Sequence, residues 1–290
     1  MAAVTLVLRA LPVDLASALG GSVVKAIGPL TSAQRTAKRN LTLAFPEMGE
    51  AERRRILNAQ WENFGRYIIE LMMMDKLTPA SGRVEVVGAE RLTQIAADDR
   101  PCVFVSGHFS NMEIMPSAIL AFGVDCVITG RAPNNPYVAA QIIESRRRYG
   151  VTVFAPKGSD GSRELLAALK QGRSVALMND QKFNQGVAAP FFGHLCYTAS
   201  GPTKMALRSG ATLQPMSVQR TRGARFRVVV HDPIVLAQTG DRNADVEAGV
   251  RQINAFVEAR VRERPEEWWW MHKRWADAVY AQLAVDEAQT

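Results

Sequence analysis

The chain has 290 residues, 47% of them hydrophobic and 22% charged, and 35 Lys and Arg against 28 Asp and Glu leave a formal charge of +7. That much apolar surface excludes an intrinsically disordered chain, and three cysteines without C-x-x-C spacing exclude a disulfide scaffold. Cys102, Cys126 and Cys196 sit in apolar contexts and read as reduced core thiols, which implies a reducing compartment. The basic excess leaves nucleic acid, a membrane surface and an acidic partner open.

In chain order, residues 4–30 are mostly apolar but interrupted by Arg9, Asp14 and Lys25. The longest uncharged run there, residues 15–24, is about half a bilayer span. No basic n-region precedes it and Gly20-Gly21 breaks it, which argues against a cleaved signal peptide. An apolar helical hairpin is expected, lying in a membrane interface or packed as core. From residue 33 to 74 the pattern is helical. Leu57, Trp61, Phe64, Ile68 and Leu71 recur at spacings of 4, 3, 4 and 3, laying one apolar stripe along a helix before Pro79.

After Pro79 the period changes. Short β-rich runs at 84–87, 102–105, 124–129, 151–154, 174–178, 211–218 and 226–230 alternate with helical stretches at 112–122, 137–149, 161–171 and 201–208. Two closing helices are expected near 244–262 and 265–284. The alternation predicts an α/β fold, a mostly parallel mixed sheet flanked by helices, behind a helical N-terminal segment. The division is residues 1–80, helical and membrane-associating, and 81–290, an α/β core.

Active sites of open α/β sheets collect beyond the carboxyl ends of the strands. The run Val103-Phe104-Val105-Ser106-Gly107-His108 puts a histidine there, and Glu113 follows in the first turn of the next helix. Across such a turn a carboxylate can fold back onto the imidazole, fixing its tautomer and leaving the other nitrogen as a general base. A capped helix beside a satisfied core histidine is the plainer alternative. Ser110 is not in a G-x-S-x-G elbow. His194, His231 and His272 lack metal-ligand spacing, and no G-x-G-x-x-G or Walker sequence occurs. No metal site is expected.

Together these residues resemble a known family. Ser106 through Glu113 is similar to the H-x4-D/E motif of glycerolipid-type acyltransferases, more specifically that of bacterial lipid A biosynthesis (lauroyl/myristoyl) acyltransferases. Arg39-Asn40-Leu41 with Ala44-Phe45-Pro46, Gly130-Arg131-Ala132 with Asn135-Pro136, Asp180-Gln181, Pro190-Phe191-Phe192-Gly193 and Pro265 through Trp275 resemble further motifs of that family, in order, over most of the chain. The resemblance implies a glycerolipid acyltransferase-like fold. It also implies transfer of a fatty acyl chain from a thioester, carried by acyl carrier protein or CoA, to a hydroxyl of an anionic glycolipid. Its expected place is the cytoplasmic face of the inner membrane, attached peripherally or monotopically, with no cofactor. It casts His108 as general base assisted by Glu113, and Arg148 as the cation for the developing oxyanion, with Arg131 a weaker candidate. Asp180 would orient an arginine or the acceptor, while Arg146, Asn111 and Gln181 would contact substrate. A lipid thioesterase or hydrolase using the same His–Glu pair, and a non-catalytic lipid-binding homologue, are the alternatives.

Between Arg131 and Arg173 eight basic residues face three acidic ones. The stretch is either a solvated helical face or a docking surface for an acidic carrier or lipid phosphates. Nucleic acid is set aside, because neither an RNA-binding aromatic signature nor a zinc finger occurs. Trp268 and Trp275 are expected to pack onto the sheet, with Trp269 or Trp270 left as membrane contacts. Phe191 and Phe192 either line an acyl-chain cavity or pack in the core.

Overall fold

The structure, a computed structural model, describes residues 2–98, 100–130, 136–151, 154–156 and 159–289. Four helices come first: α1 (Ala2–Ala10), α2 (Val13–Ile27), α3 (Ala33–Ala44) and α4 (Glu50–Glu70). Pro12 caps α2 and the Gly28-Pro29 turn ends it. Glu50 and Glu52 in the first turn of α4 suit the positive end of its dipole. The Gly20-Gly21 pair does not break α2. It lies where α2 crosses α4, and a Cβ on Gly65 would fall 2.3 Å from the Gly20 carbonyl oxygen. Glycine on both helices lets the backbones touch. The buried face of α4 therefore runs through Leu57, Trp61 and Gly65, while Phe64, Ile68 and Leu71 of the expected stripe are half-buried.

The remaining elements are β1 (Val84–Val87), α5 (Ala89–Ala97), β2 (Cys102–Ser106), α6 (Ile114–Ala121), β3 (Cys126–Gly130), α7 (Pro136–Arg148), β4 (Phe154–Pro156), α8 (Ser159–Lys170) and β5 (Ser174–Met178). After them come β6 (Val187–Phe191), β7 (His194–Thr198), α9 (Gly201–Ser209), β8 (Thr212–Arg222), β9 (Arg225–Val230), α10 (Arg242–Glu263) and α11 (Asp277–Gln289). Among the described residues, seven strands form one sheet in the order β1-β9-β8-β2-β5-β3-β4. Every pair is parallel except the β8/β9 hairpin, so the expected mostly parallel mixed sheet flanked by helices is present. β2 is central and buried throughout, which is why it reads as a continuous apolar run.

Two regions depart from the sequence reading. The second closing helix is not continuous. Residues Pro265–Glu267 make one 3-10 turn, and helix resumes only at Asp277. Trp268, Trp270 and Trp275 are all buried, and their indole N–H groups donate to Asp180, the Pro265 carbonyl and the Phe191 carbonyl. No single helical face satisfies three indoles pointing to such different acceptors. Trp270 is thus core rather than a membrane contact; Trp269 is half-buried.

The second departure is an unforeseen hairpin, β6/β7, turned by Phe192 (φ 50°) and Gly193 (φ 75°). Two positive-φ residues suit the twist of a two-residue hairpin. Phe192 tolerates the conformation because its N–H donates to Glu258 at 2.6 Å and its ring lies under Arg262. Phe191 and Phe192 are buried in an aromatic cluster with Trp268, Trp270 and Trp275.

Gly65→Ala is expected to destabilise the protein by about 1–3 kcal/mol through overpacking at the α2/α4 crossing. Chemical denaturation measures it; an unchanged midpoint would show that the helices part without cost.

Candidate active site

Parallel pairing of β2 and β5 puts their carboxyl ends level. Ser106 stands opposite Met178, and the Asn179 N–H continues the ladder to the Ser106 carbonyl at 2.9 Å. The chain leaves both strands together, so His108 and Asp180 emerge side by side, 72 residues apart in sequence. Their contact is double. Asp180 Oδ1 lies 2.6 Å from His108 Nδ1, and Asp180 Oδ2 accepts the His108 backbone N–H at 2.7 Å. The Trp268 indole donates to Oδ2 as well, at 2.7 Å.

Gly107 makes room for this junction. A Cβ there would meet the Phe109 ring at 2.8 Å and Asp180 Oδ2 at 3.1 Å. Farther along the loop, Phe109 bridges to Trp268 and the Ser110 N–H donates to the Glu267 carbonyl at 2.8 Å. Ser110 adopts φ 44° with its hydroxyl buried and without a partner, a strained position held by these flanking bonds.

Asp180 is 4% exposed. Burial opposes its charge, but the His108 imidazole, the His108 N–H groups and the Trp268 indole outweigh that and hold the carboxyl well below the usual carboxylate range. An ionised Asp180 accepts from Nδ1–H, which leaves Nε2 with its lone pair. That nitrogen faces a small cleft lined by Gln181, Trp268, Trp269, His272, Lys273 and Arg274, with the Gln181 amide nitrogen 3.5 Å away. The tilted Trp269 ring, 5.3 Å between centroids, packs against the imidazole. The arrangement offers an oriented base beside a cationic wall.

Several expected site residues lie elsewhere. Glu113 is buried, but its hydrogen bonds are to Arg146 Nε at 2.9 Å and to the Tyr149 hydroxyl at 2.7 Å; Asp180 takes the imidazole position expected for it. Burial raises the Glu113 pKa, and the Arg146 bonds and charge more than reverse this, leaving the group below its ordinary value. Asp180 correspondingly orients the histidine and not an arginine. Arg146 is occupied by Glu113, with only 15% of its side chain exposed, rather than standing open to substrate. Asn111 is fully buried. Its amide donates to Glu70 at 3.0 Å and its oxygen accepts the Glu113 N–H, so it braces the loop and does not line the His108 cleft. Arg148 pairs with Glu144 on the exposed side of α7 and does not line the cleft. Arg131 lies outside the described residues. Among the described residues, Gln181 alone of the expected substrate contacts lines the cleft.

Sequence reasoning passed over Trp268 as a donor to Asp180 and Arg274 as a cleft residue. Arg274 is 1% exposed, and its hydrogen bonds go to the Tyr197 carbonyl, Thr198 Oγ1 and Asn254 Oδ1, none of them a carboxylate. Behind the loop, Glu70 joins Arg220 at 2.6 and 3.0 Å and accepts from Ser17 and Asn111, a buried network linking α2, α4, β8 and the loop after β2. Among the described residues no cluster of His, Cys, Asp and Glu is arranged to hold a metal ion.

Asp180 and Glu113 both have folded pKa values below their ordinary ones, about 3.9 and 4.3. Each contributes stability that is present above those values and lost as pH falls through the lower folded ones. Unfolding measured from pH 5 to pH 2 is expected to show a steep loss of stability, and Asp180→Asn to flatten that slope. An identical slope in the variant would mean that the carboxylate is not held ionised. Glu113→Gln leaves Arg146 buried against a neutral partner and is expected to cost about 3–5 kcal/mol in the same assay at pH 7.

The family described as bacterial lipid A biosynthesis acyltransferase matches residues 1–277. Relatives include a lipid A biosynthesis lauroyltransferase from Escherichia coli (strain K12), 27% identical over 81% of this chain and 76% of that protein. A palmitoleoyltransferase of the same strain is 22% identical over 82% and 77%, and a myristoyltransferase 24% identical over 83% and 75%. The crystal structure of a 1-acyl-sn-glycerophosphate acyltransferase from Thermotoga maritima aligns over 88% of this chain and 98% of its own, with 15% identity and a TM-score of 0.38. With the family's match running from the first residue to Asp277, the chain belongs to the bacterial lipid A biosynthesis acyltransferases.

Proposed function

We propose that this protein transfers a fatty acyl chain from a thioester, on acyl carrier protein, to a hydroxyl of a lipid A precursor or related glycolipid. The observation that carries the reading is the His108–Asp180 pair opening its Nε2 side into a cleft of a chain in this family. A lipid hydroxyl is a weak nucleophile at neutral pH. His108 Nε2 takes its proton as the oxygen attacks the thioester carbonyl, and ionised Asp180 stabilises the imidazolium. The carbonyl oxygen gains negative charge in the tetrahedral intermediate. Lys273 and Arg274 on the cleft wall supply positive potential, and the Gln181 amide supplies a donor. Collapse breaks the C–S bond, and the imidazolium returns the proton to the departing thiolate. Atoms balance: thioester and alcohol give ester and thiol, with no cofactor required.

Glu113 acts at one remove in this reading. Paired with Arg146 and Tyr149, it holds the end of the catalytic loop where Asn111 and Glu70 brace it. The site works at the cytoplasmic face of the inner membrane. Leu15, Leu19, Val23 and Ile27 are each about half exposed and recur every four residues on α2. They offer an apolar stripe to the bilayer, within an 18-residue stretch, Val13–Leu30, long and apolar enough to cross one.

Purified protein given acyl carrier thioester and lipid acceptor is expected to yield the acylated lipid by mass spectrometry. His108→Ala should lower turnover by roughly 100-fold or more. Substantial turnover in the variant would sink the general-base role, and release of free fatty acid in place of acylated lipid would favour a hydrolase.

A further inference from the structure

The β6/β7 hairpin stands apart from the main sheet, and its outer face is unusual. Its inner residues, Ala189, Phe191, Cys196 and Thr198, are buried. Its outer residues are the cross-strand pairs Ala188 with Tyr197 and Pro190 with Leu195, all four exposed. A solvated face of an antiparallel hairpin ordinarily carries polar side chains in alternation with the buried ones. Here both faces are apolar. Leu195 is 63% exposed, and Phe183, 44% exposed, stands beside this face because its N–H donates to the Tyr197 carbonyl at 3.0 Å.

The patch is rigidly presented. Gly186 closes the approach to β6 so tightly that a Cβ there would lie 2.2 Å from the Thr198 carbonyl oxygen, and the Gly186 N–H returns to the Phe183 carbonyl. Asn254 on α10 donates to the Pro190 carbonyl, and Trp275 donates to the Phe191 carbonyl. The hairpin also abuts the cleft. Arg274, which lines the cleft, donates to the Tyr197 carbonyl at 3.2 Å, and Phe183 is two residues beyond Gln181. Its border is cationic: Lys182 and Lys273 share one carboxylate, Asp277, at 3.7 and 3.1 Å. Aromatic and aliphatic side chains facing outward beside lysines suit the headgroup boundary of an anionic bilayer.

We propose that the outer face of the β6/β7 hairpin, with Phe183, docks on an anionic lipid bilayer and sets the mouth of the His108 cleft against the membrane surface. This contact is separate from the α2 stripe, and it rests on the acyl-transfer reading only for the second assay below. A contact beside the cleft fixes how the His108 site meets the bilayer, which a single helix, free to swivel, does not. A lipid hydroxyl at headgroup depth then reaches Nε2 without leaving the bilayer.

The native thiols make a position-specific test available, since Cys102, Cys126 and Cys196 are buried and burial raises each thiol pKa. Leu195→Cys carries an environment-sensitive nitrobenzoxadiazole label on the full chain. A second label goes on Val235→Cys, an exposed position on the loop after β9. Vesicles of phosphatidylcholine with 30% phosphatidylglycerol are expected to blue-shift the label at 195 and shield it from aqueous quencher, leaving the label at 235 unchanged. Vesicle co-sedimentation without a shift at 195 would overturn the proposal, because α2 alone would then account for attachment. A shift that grows with protein concentration in the absence of lipid would assign the face to a second copy, and one requiring soluble acyl carrier protein would assign it to that partner. In the second assay, Leu195→Asp with Tyr197→Ser is expected to lower turnover on vesicle-embedded acceptor about tenfold or more, while turnover on detergent-dispersed acceptor stays within about twofold. Equal loss in detergent would contradict a docking role. Absence of acyl transfer by the unaltered protein in detergent would instead count against the proposed function and leave the fluorescence test standing.

Discussion

One buried carboxylate organises the candidate active site. Asp180 accepts from the His108 backbone, lies on His108 Nδ1 and accepts from the Trp268 indole, so three segments distant in sequence meet on two oxygen atoms. A desolvated carboxylate is costly unless hydrogen-bond donors surround it. Three donors meet that cost here, and in meeting it they fix the direction of the imidazole. The parallel pairing of β2 with β5 supplies the level ends, and Gly107 supplies the space. Pulling away any donor leaves a charge buried against the others, which makes the junction stiff.

A second buried ion pair performs a different task nearby. Glu113 and Arg146 join the first turn of α6 to the end of α7, and the Glu70–Arg220 pair joins α4 to β8, with Asn111 in contact with both sets. These pairs brace the loop 107–113 from behind, and the His108–Asp180 pair faces the cleft in front. The helical N-terminal segment is therefore coupled to the site through α4, beyond any part it plays at a membrane.

The strands, the flanking helices and the position of His108 at a strand end were legible because period and turn residues report them locally. Which carboxylate serves His108 was not. Glu113 is near in sequence, but the adjacency of β2 and β5 depends on a strand order that carries β3 and β4 outward before β5 returns to the centre. No local pattern encodes that order. The same limit explains the tryptophans. Spacing put Trp268 and Trp275 on one helical face, whereas the indole acceptors require an irregular segment. The hairpin turn at Phe192-Gly193 was hidden because phenylalanine seldom takes positive φ, and the Glu258 and Arg262 contacts that permit it come from α10. Gly20 and Gly65 were legible as residues but not as a contact.

The central claim is that Asp180, and not Glu113, sets the tautomer of His108. Nitrogen-15 NMR of the His108 ring in its neutral form, in the folded protein, reads this directly. The account predicts a protonated Nδ1 and an unprotonated Nε2, a pattern kept in Glu113→Gln and lost in Asp180→Asn. A neutral ring carrying its proton on Nε2 in the unaltered protein, or a pattern that survives Asp180→Asn and disappears in Glu113→Gln, would contradict it.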